Sequence, residues 1–451
     1  MISSTVYNLK HKDGLNQRVQ QVTFDSLNEI EFLKPAYNPD SFDAVCNLYD
    51  QFFIQKYDFI CGWILIYTLI DDLFIPDNMF ECDGMTFFDR LSCVNYHFKK
   101  NIKLKNNKLV FLNKETEQIF NYLKQNKKLH IVKGKRNKLT FLPVSKNFGY
   151  LSQYQNNYQL LVNSNFFVML HFDCDSFFDS VSTPVGLMVK NGKIIAPNMY
   201  DRECLIVRDN KVTIETIRLS QLKIEIDGIT YQDNVNCQLY QRGKNRRSKK
   251  GGFDIVVVND RVLAFKKNGN CEIPESGFVI KIEKEIGIKD YNVKYHGLED
   301  VSFGLSVGNS TIVNGKVTDK FISPFYNMFS PIKKAFVPAV YPLNFKKDRA
   351  PRIVLGADKD NKAMLLWFEG AGKFGYDRNK DSSGASLKEV GEICQRLQMY
   401  NGINLDGGGS AQIIFNRQRQ LMISDRNNNT FQQQERAVPT ALVIKLSLIH
   451  I

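Results

Sequence analysis

From about residue 166 onward the chain is cut into short β-branched runs, each closed by a pair of residues able to reverse the backbone in two steps. Residues 185–190 stop at Asn191-Gly192, 223–226 at Asp227-Gly228, 255–258 at Asn259-Asp260 and 311–313 at Asn314-Gly315. Asn-Gly and Asp-Gly accept the positive φ values of the tight turns whose twist matches paired antiparallel strands. The spacing therefore predicts a succession of hairpins and a mostly β structure for this half of the chain. The last third adds a hairpin from residues 352–357 and 362–368, turned at 358–361 and ending at Glu369-Gly370. A helix follows: Ser386 and Glu389 form an S-x-x-E capping box, and Leu387, Val390, Ile393, Cys394 and Leu397 recur at helical spacing until Asn401-Gly402 closes the element. Residues 403–405 then read as a short strand delivering Asp406, and 411–415 as a strand leading away. The fold class is α+β: a β-rich domain with a few helices, preceded by a mixed α/β N-terminal region.

At 451 residues the chain exceeds what a single core usually serves. The division expected is an N-terminal region over 1–155, a second domain over 160–445 and a tail over 446–451. Within the first region, 115–127 can form an amphipathic helix with Ile119, Phe120 and Leu123 on one face, and 131–142 reads as strand and turn. The longest apolar run, 59–70, is bounded by Lys56, Asp58, Asp71 and Asp72 and falls short of the roughly 20 residues of a bilayer-spanning helix, so it reads as a buried element.

The net charge of +13 is concentrated: residues 97–138 hold thirteen Lys or Arg against Glu115 and Glu117. Such a segment suits an anionic partner, or is a solvated lysine-rich face. The loop 242–250, with Arg242, Lys244, Arg246, Arg247, Lys249 and Lys250, leaves the same two readings open. Neither segment has the aromatic interleaving of a base-stacking platform, which weakens a nucleic-acid-binding function. The nine cysteines lack a C-x-x-C pair and are odd in number, so neither a disulfide framework nor a zinc site is expected. No basic and then apolar leader opens the chain. Synthesis in the cytoplasm is the expectation, with delivery to a host or a particle as a way to reach outside glycans.

Chemistry concentrates in Asn404-Leu405-Asp406-Gly407-Gly408-Gly409-Ser410. Three glycines after an aspartate let the backbone approach a ligand and take unusual φ values. Their amides suit an anion, Ser410 adds a hydroxyl, and Asp406 adds a carboxylate fit for base or nucleophilic work. By composition alone the run is equally a structural turn.

Together with the capped helix and the strand Pro351-Arg352-Ile353-Val354-Leu355-Gly356, this run resembles the phosphodiester glycosidase family. That family's pattern has an Arg-containing strand opening a hairpin, then a helix, then Asn-Leu-Asp-Gly-Gly-Gly-Ser. Upstream, Phe177-Phe178 with Pro184-Val185-Gly186-Leu187 and Asn191-Gly192-Lys193 is similar to the opening segment, where an Asn-Gly-Gly-aromatic run precedes Pro-x-Gly. Residues 256–262, 273–279 and 306–316 resemble its central strands and Gly-rich approach, and 435–441 its final strand. The resemblance covers roughly residues 165–445. One departure stands out: Cys174-Asp175-Ser176 occupies the place of Asn-Gly-Gly, exchanging an amide for a carboxylate. The segment 173–179 lacks the ligands an EF-hand loop needs at its fifth and sixth positions, so no metal is expected there, and no cofactor is called for.

The resemblance implies a hydrolase that removes a glycosyl residue, such as N-acetylglucosamine, from a sugar phosphodiester or phosphorylated glycan. Hydrolysis at an anomeric carbon ordinarily takes two carboxyl groups, but a phosphate leaves as a stable anion and a cation can take over part of the acid's task. Asp406 is the candidate base or nucleophile and Glu369 the second carboxylate. Arg352, whose planar fork suits phosphate oxygens, would stabilise the leaving group, unless it makes an ordinary salt bridge. Asn404, Gly407, Gly408, Gly409, Ser410 and Asp175 would line the substrate pocket; His171 beside Phe172 reads more simply as a core residue. A catalytically altered glycan-binding or host-interaction module of the same fold is the competing reading.

Overall fold

The computed structural model describes residues 2–36, 147–167, 183–199, 201–241, 245, 247–274, 277–318, 349–370, 382–425 and 433–446, with two short strand pairs and a few further positions between 63 and 133. It is strand-rich, and the pairings between its named strands are antiparallel. The turn pairs do what their chemistry suggests. Asn191-Gly192, Asp227-Gly228 and Asn314-Gly315 all take positive φ and join Met188–Lys190 to Lys193–Ala196, Lys223–Ile226 to Ile229–Tyr231, and Ser310–Val313 to Lys316–Val317. Asn259, φ 53°, opens the turn between Lys250–Val258 and Arg261–Gly269.

The element that positions the candidate site is a seven-stranded sheet. Its order is Ser3–Lys10, Asn16–Phe24, Ala363–Phe368, Arg352–Ala357, Asn401–Asn404, Ser310–Val313, Lys316–Val317. Strands Arg352–Ala357 and Ala363–Phe368 are buried along their whole length, because both faces of the sheet are covered. Alternate residues therefore serve two cores. Ile353, Leu355, Leu365, Trp367 and Ile403 join the main core, while Val354, Leu366 and Phe368 pack with Val390, Ile393 and Cys394 of the helix Leu387–Arg396.

The opening residues are part of this architecture. Val19, Val22 and Phe24 pair with Phe368, Leu365 and Ala363. Glu31–Leu33 pairs with Ala441–Lys445 in a four-stranded sheet that also holds Tyr158–Asn163 and Ile413–Phe415. Residues 2–36 thus share sheets with the later chain. Of the remaining N-terminal region, Trp63–Tyr67 within the apolar run pairs with Leu129–Lys133, and Ile102–Lys105 pairs with Lys108–Phe111. The helix expected at 115–127 and the turn expected after residue 133 lie outside the described residues, isolated positions aside. No described helix is long and apolar enough to cross a membrane.

The capping box forms as read: Ser386 Oγ accepts from Glu389 N, and Glu389 Oε2 accepts from Ser386 N at 2.9 Å. The far end differs from the expectation. The helix stops at Arg396, Gln398 takes a φ of 65°, and Asn401-Gly402 opens the next strand instead of closing the helix. Tyr400 N donates to Ala357 O at 2.7 Å, so pairing with the neighbouring strand captures the chain as soon as the helical ladder ends.

Candidate active site

Strand Asn401–Asn404 delivers the glycine run. Leu405 N still donates to Ile353 O at 2.8 Å, but Asp406 N donates to Ser164 O at 3.0 Å, so the chain leaves the large sheet at the aspartate and crosses to the four-stranded one. Asn163 fixes the crossing. Its Nδ2 donates to Asp406 O at 2.7 Å and its Oδ1 accepts from Gln412 N at 3.0 Å, so one amide group staples both ends of the loop. Gly408 has a φ of 57° with open space around it. Gly409 is required for a different reason, since a Cβ there would run into Arg436 Nη2 and both carboxylate oxygens of Asp425.

That close approach defines a cluster. Arg436 grips Asp425 through Nε at 2.8 Å and Nη2 at 3.0 Å, and its Nη1 donates to Ser410 Oγ at 3.5 Å. The Ser410 hydroxyl also lies near enough to the Asp406 carboxyl to draw its pKa down. Asp406, Ser410, Asp425 and Arg436 are all buried. Burial pushes the Asp406 carboxyl up to about 7, against the lowering pull of Ser410, Arg436 and the Gly407 amide, while the Asp425 charge adds to the rise. A carboxyl poised there can hold or release a proton near neutral pH.

The other expected residues are placed as follows. Arg352 is buried on the helix side of the sheet, its Nε donating to Ala385 O at 3.2 Å, and a Cβ on Gly407 would lie 3.6 Å from its Cδ. Two guanidinium side chains thus flank the glycine run, Arg352 at Gly407 and Arg436 at Gly409. Glu369 is also buried, but its carboxylate accepts from Arg18 Nη1 at 3.1 Å, Ser382 Oγ at 2.6 Å and Met422 N at 2.8 Å, and makes no bond to the Asp406 cluster. Asn404 Nδ2 donates to Leu405 O at 2.8 Å, leaving Oδ1 buried without a partner. The amides of Gly408 and Ser410 are committed to Pro351 O and Gly407 O. Asp175, with His171 and Cys174 to Ser176, lies outside the described residues.

Asn163, Ser164, Asp425 and Arg436 carry no role in the sequence reading. A signal for the first two existed. Phe166–Phe167 pairs with Pro184–Val185, so the aromatic pair joined to the Pro-x-Gly stretch is preceded by Asn163-Ser164-Asn165. That tripeptide keeps the leading Asn which Cys174-Asp175-Ser176 lacks. Arg436 lay within the family-like segment 435–441, while nothing marked Asp425. Among the described residues no group of His, Cys, Asp and Glu could hold a metal ion.

Residues 222–445 match the sequence model of the family described as phosphodiester glycosidase. Over this segment, 224 of the 451 residues, the chain is similar to that family. Among solved structures it is similar to a hypothetical protein from Synechocystis, at 14% identity and a TM-score of 0.40, covering 98% of this chain and 61% of that one. It is also similar to the catalytic domain of zebrafish N-acetylglucosamine-1-phosphodiester alpha-N-acetylglucosaminidase, auto-inhibited by its pro-peptide, at 12% identity and a TM-score of 0.37, covering 99% and 83%. No curated protein matches the chain.

Proposed function

We propose that the protein hydrolyses the glycosyl–phosphate bond of a sugar phosphodiester at the Asp406 loop. The observation that carries this reading is a buried carboxyl with a pKa of about 7 on a glycine loop flanked by Arg352 and Arg436, within a phosphodiester glycosidase segment. In its ionised form Asp406 takes a proton from water as the water oxygen bonds to the anomeric carbon, or attacks that carbon itself to form a glycosyl ester that water then hydrolyses, freeing the carboxylate. The bond from carbon to the phosphate oxygen breaks, and its electron pair leaves on the phosphate. A guanidinium stabilises that developing anion, and Arg436 suits the task because it reaches Ser410 and its charge acts on Asp406. Arg352, behind Gly407, would hold the loop and add its charge from farther back. Glu369, saturated by three donors, fits better as an anchor of the surrounding strands than as the second carboxyl.

Asp406→Asn tests the assignment on a synthetic N-acetylglucosamine-1-phosphodiester. General-base loss lowers rates by roughly 10²–10⁴-fold, and a variant that keeps the wild-type rate would end this mechanism. A second reading, a glycan-binding module of the same fold, draws on one observation: Asp425, the other carboxylate in the cluster, is locked to Arg436. Saturable binding of the same compound by the wild-type protein without release of free sugar would favour it.

A further inference from the structure

A cavity of about 300 Å³ opens where three parts of the fold meet. Thr183, Pro184, Met188 and Ala196 line it from one side, and Pro439 and Thr440 from another; the turn Asn259–Arg261 completes it, with Lys34, Asn147 and Asn292 at its rim. It shares no lining residue with the catalytic loop. The volume is at the small end of ligand sites, suited to a single sugar ring.

Its wall is polar in a way that packing does not explain. Thr183, Thr440 and Asn259 are buried, and Thr183 Oγ1, Thr440 Oγ1 and Asn259 Oδ1 are shut off from water with no hydrogen-bond partner. Buried polar atoms are nearly always paired, and an orphan is costly. Valine would fill either threonine position at the same volume without that cost. All three atoms face the packed side of the wall, and a turn to another staggered rotamer about χ1 in each threonine, with a turn about χ2 in Asn259, would bring them to a guest in the cavity. Hydroxyls both donate and accept, and the Asn259 carbonyl accepts, which matches the alternating donors and acceptors of a sugar's hydroxyl groups. The rim is exposed and cationic on balance, with Lys34 and Arg261 against Asp260, and neither cation forms an ion pair with a described carboxylate.

We infer that this cavity is a second ligand site, separate from the Asp406 loop, for one sugar ring bearing an anionic group, its hydroxyls on Thr183, Thr440 and Asn259 and its charge toward Lys34 and Arg261. Phosphate and carboxylate share this chemistry, so both belong in the test. Titration calorimetry of the full chain with glucose 1-phosphate, glucuronate and glucose reads it directly, on the wild type, Thr440→Val, Arg261→Ala and Asp406→Asn. The expected result is binding of at least one anionic sugar at least ten-fold tighter than glucose, retained in Asp406→Asn and weakened ten-fold or more in both other variants. Arg261 is exposed, so its replacement reports on binding even where the core substitution disturbs folding. Three results overturn the inference: no binding of either anionic sugar to the wild type, binding unchanged by Arg261→Ala, or binding lost in Asp406→Asn, which would place the ligand at the catalytic loop instead.

Discussion

The burial of Asp406 carries a cost in stability. Its carboxyl has an ordinary value of 3.8 and sits at about 7 in the folded chain, chiefly through burial. A raised folded pKa means that the folded state favours the protonated form. This contribution to stability is complete below 3.8 and is lost progressively as the pH climbs to about 7, where it levels off. Asparagine cannot ionise and escapes that loss. The melting temperature of Asp406→Asn relative to wild type should therefore rise by a few degrees between pH 5 and pH 8, read by paired thermal melts. A gap that stays constant with pH would show that burial does not govern the carboxyl. At this scale the site was half legible. Asp406 and its glycines stand together in the sequence and announce a turn with chemistry in it. Asp425 and Arg436 do not, because their pairing is made by two segments that meet only once the loop has crossed between sheets. Asn163 was hidden for the same reason: an asparagine ending a strand is ordinary until its amide is seen to hold both ends of the loop.

The elements were legible wherever the signal was local. Asn191-Gly192, Asp227-Gly228 and Asn314-Gly315 each turned their own hairpin, and Ser386-x-x-Glu389 set a helix start, because every partner lies within a few residues. The helix's last turn was not, since the competing partner, Ala357 O, belongs to a different strand. Glu389 does more than cap. It also binds Arg349, whose guanidinium reaches Asp13, and these contacts hold its carboxyl down at about 2 although burial opposes them. Replacing Ser386 with alanine removes the hydroxyl that receives Glu389 N but leaves the Arg349 pair, so the loss should stay near that of an isolated N-cap, about 1 kcal/mol. Chemical denaturation checks this, and a loss several times larger would mean that Ser386 also holds Glu389 in place for Arg349.

Across the whole molecule the pattern that resisted reading is the closure of the large sheet by the first strands of the chain. Nothing local in residues 3–24 names a partner, yet Val19 pairs with Phe368 and Arg18 reaches Glu369. The sequence marks residues 1–155 as an N-terminal region without a readable role; in the fold its first strands lie in the sheet that carries the glycine loop. Removing residues 1–24 tests how much depends on them. Val19, Val22 and Phe24 are fully buried, and burying such side chains contributes about 1.5–3 kcal/mol each, a sum comparable with the roughly 5–15 kcal/mol that separates a folded domain from its unfolded state. The truncation would also uncover Ala363–Phe368 as an apolar edge strand, a template for association with other chains, and strip Glu369 of its arginine. The truncated chain should accumulate as aggregate or melt without a cooperative transition, by size-exclusion chromatography and calorimetry. A soluble monomer with the melting temperature of the full chain would show instead that the sheet closes without these strands, and that the first hairpin decorates an already finished edge.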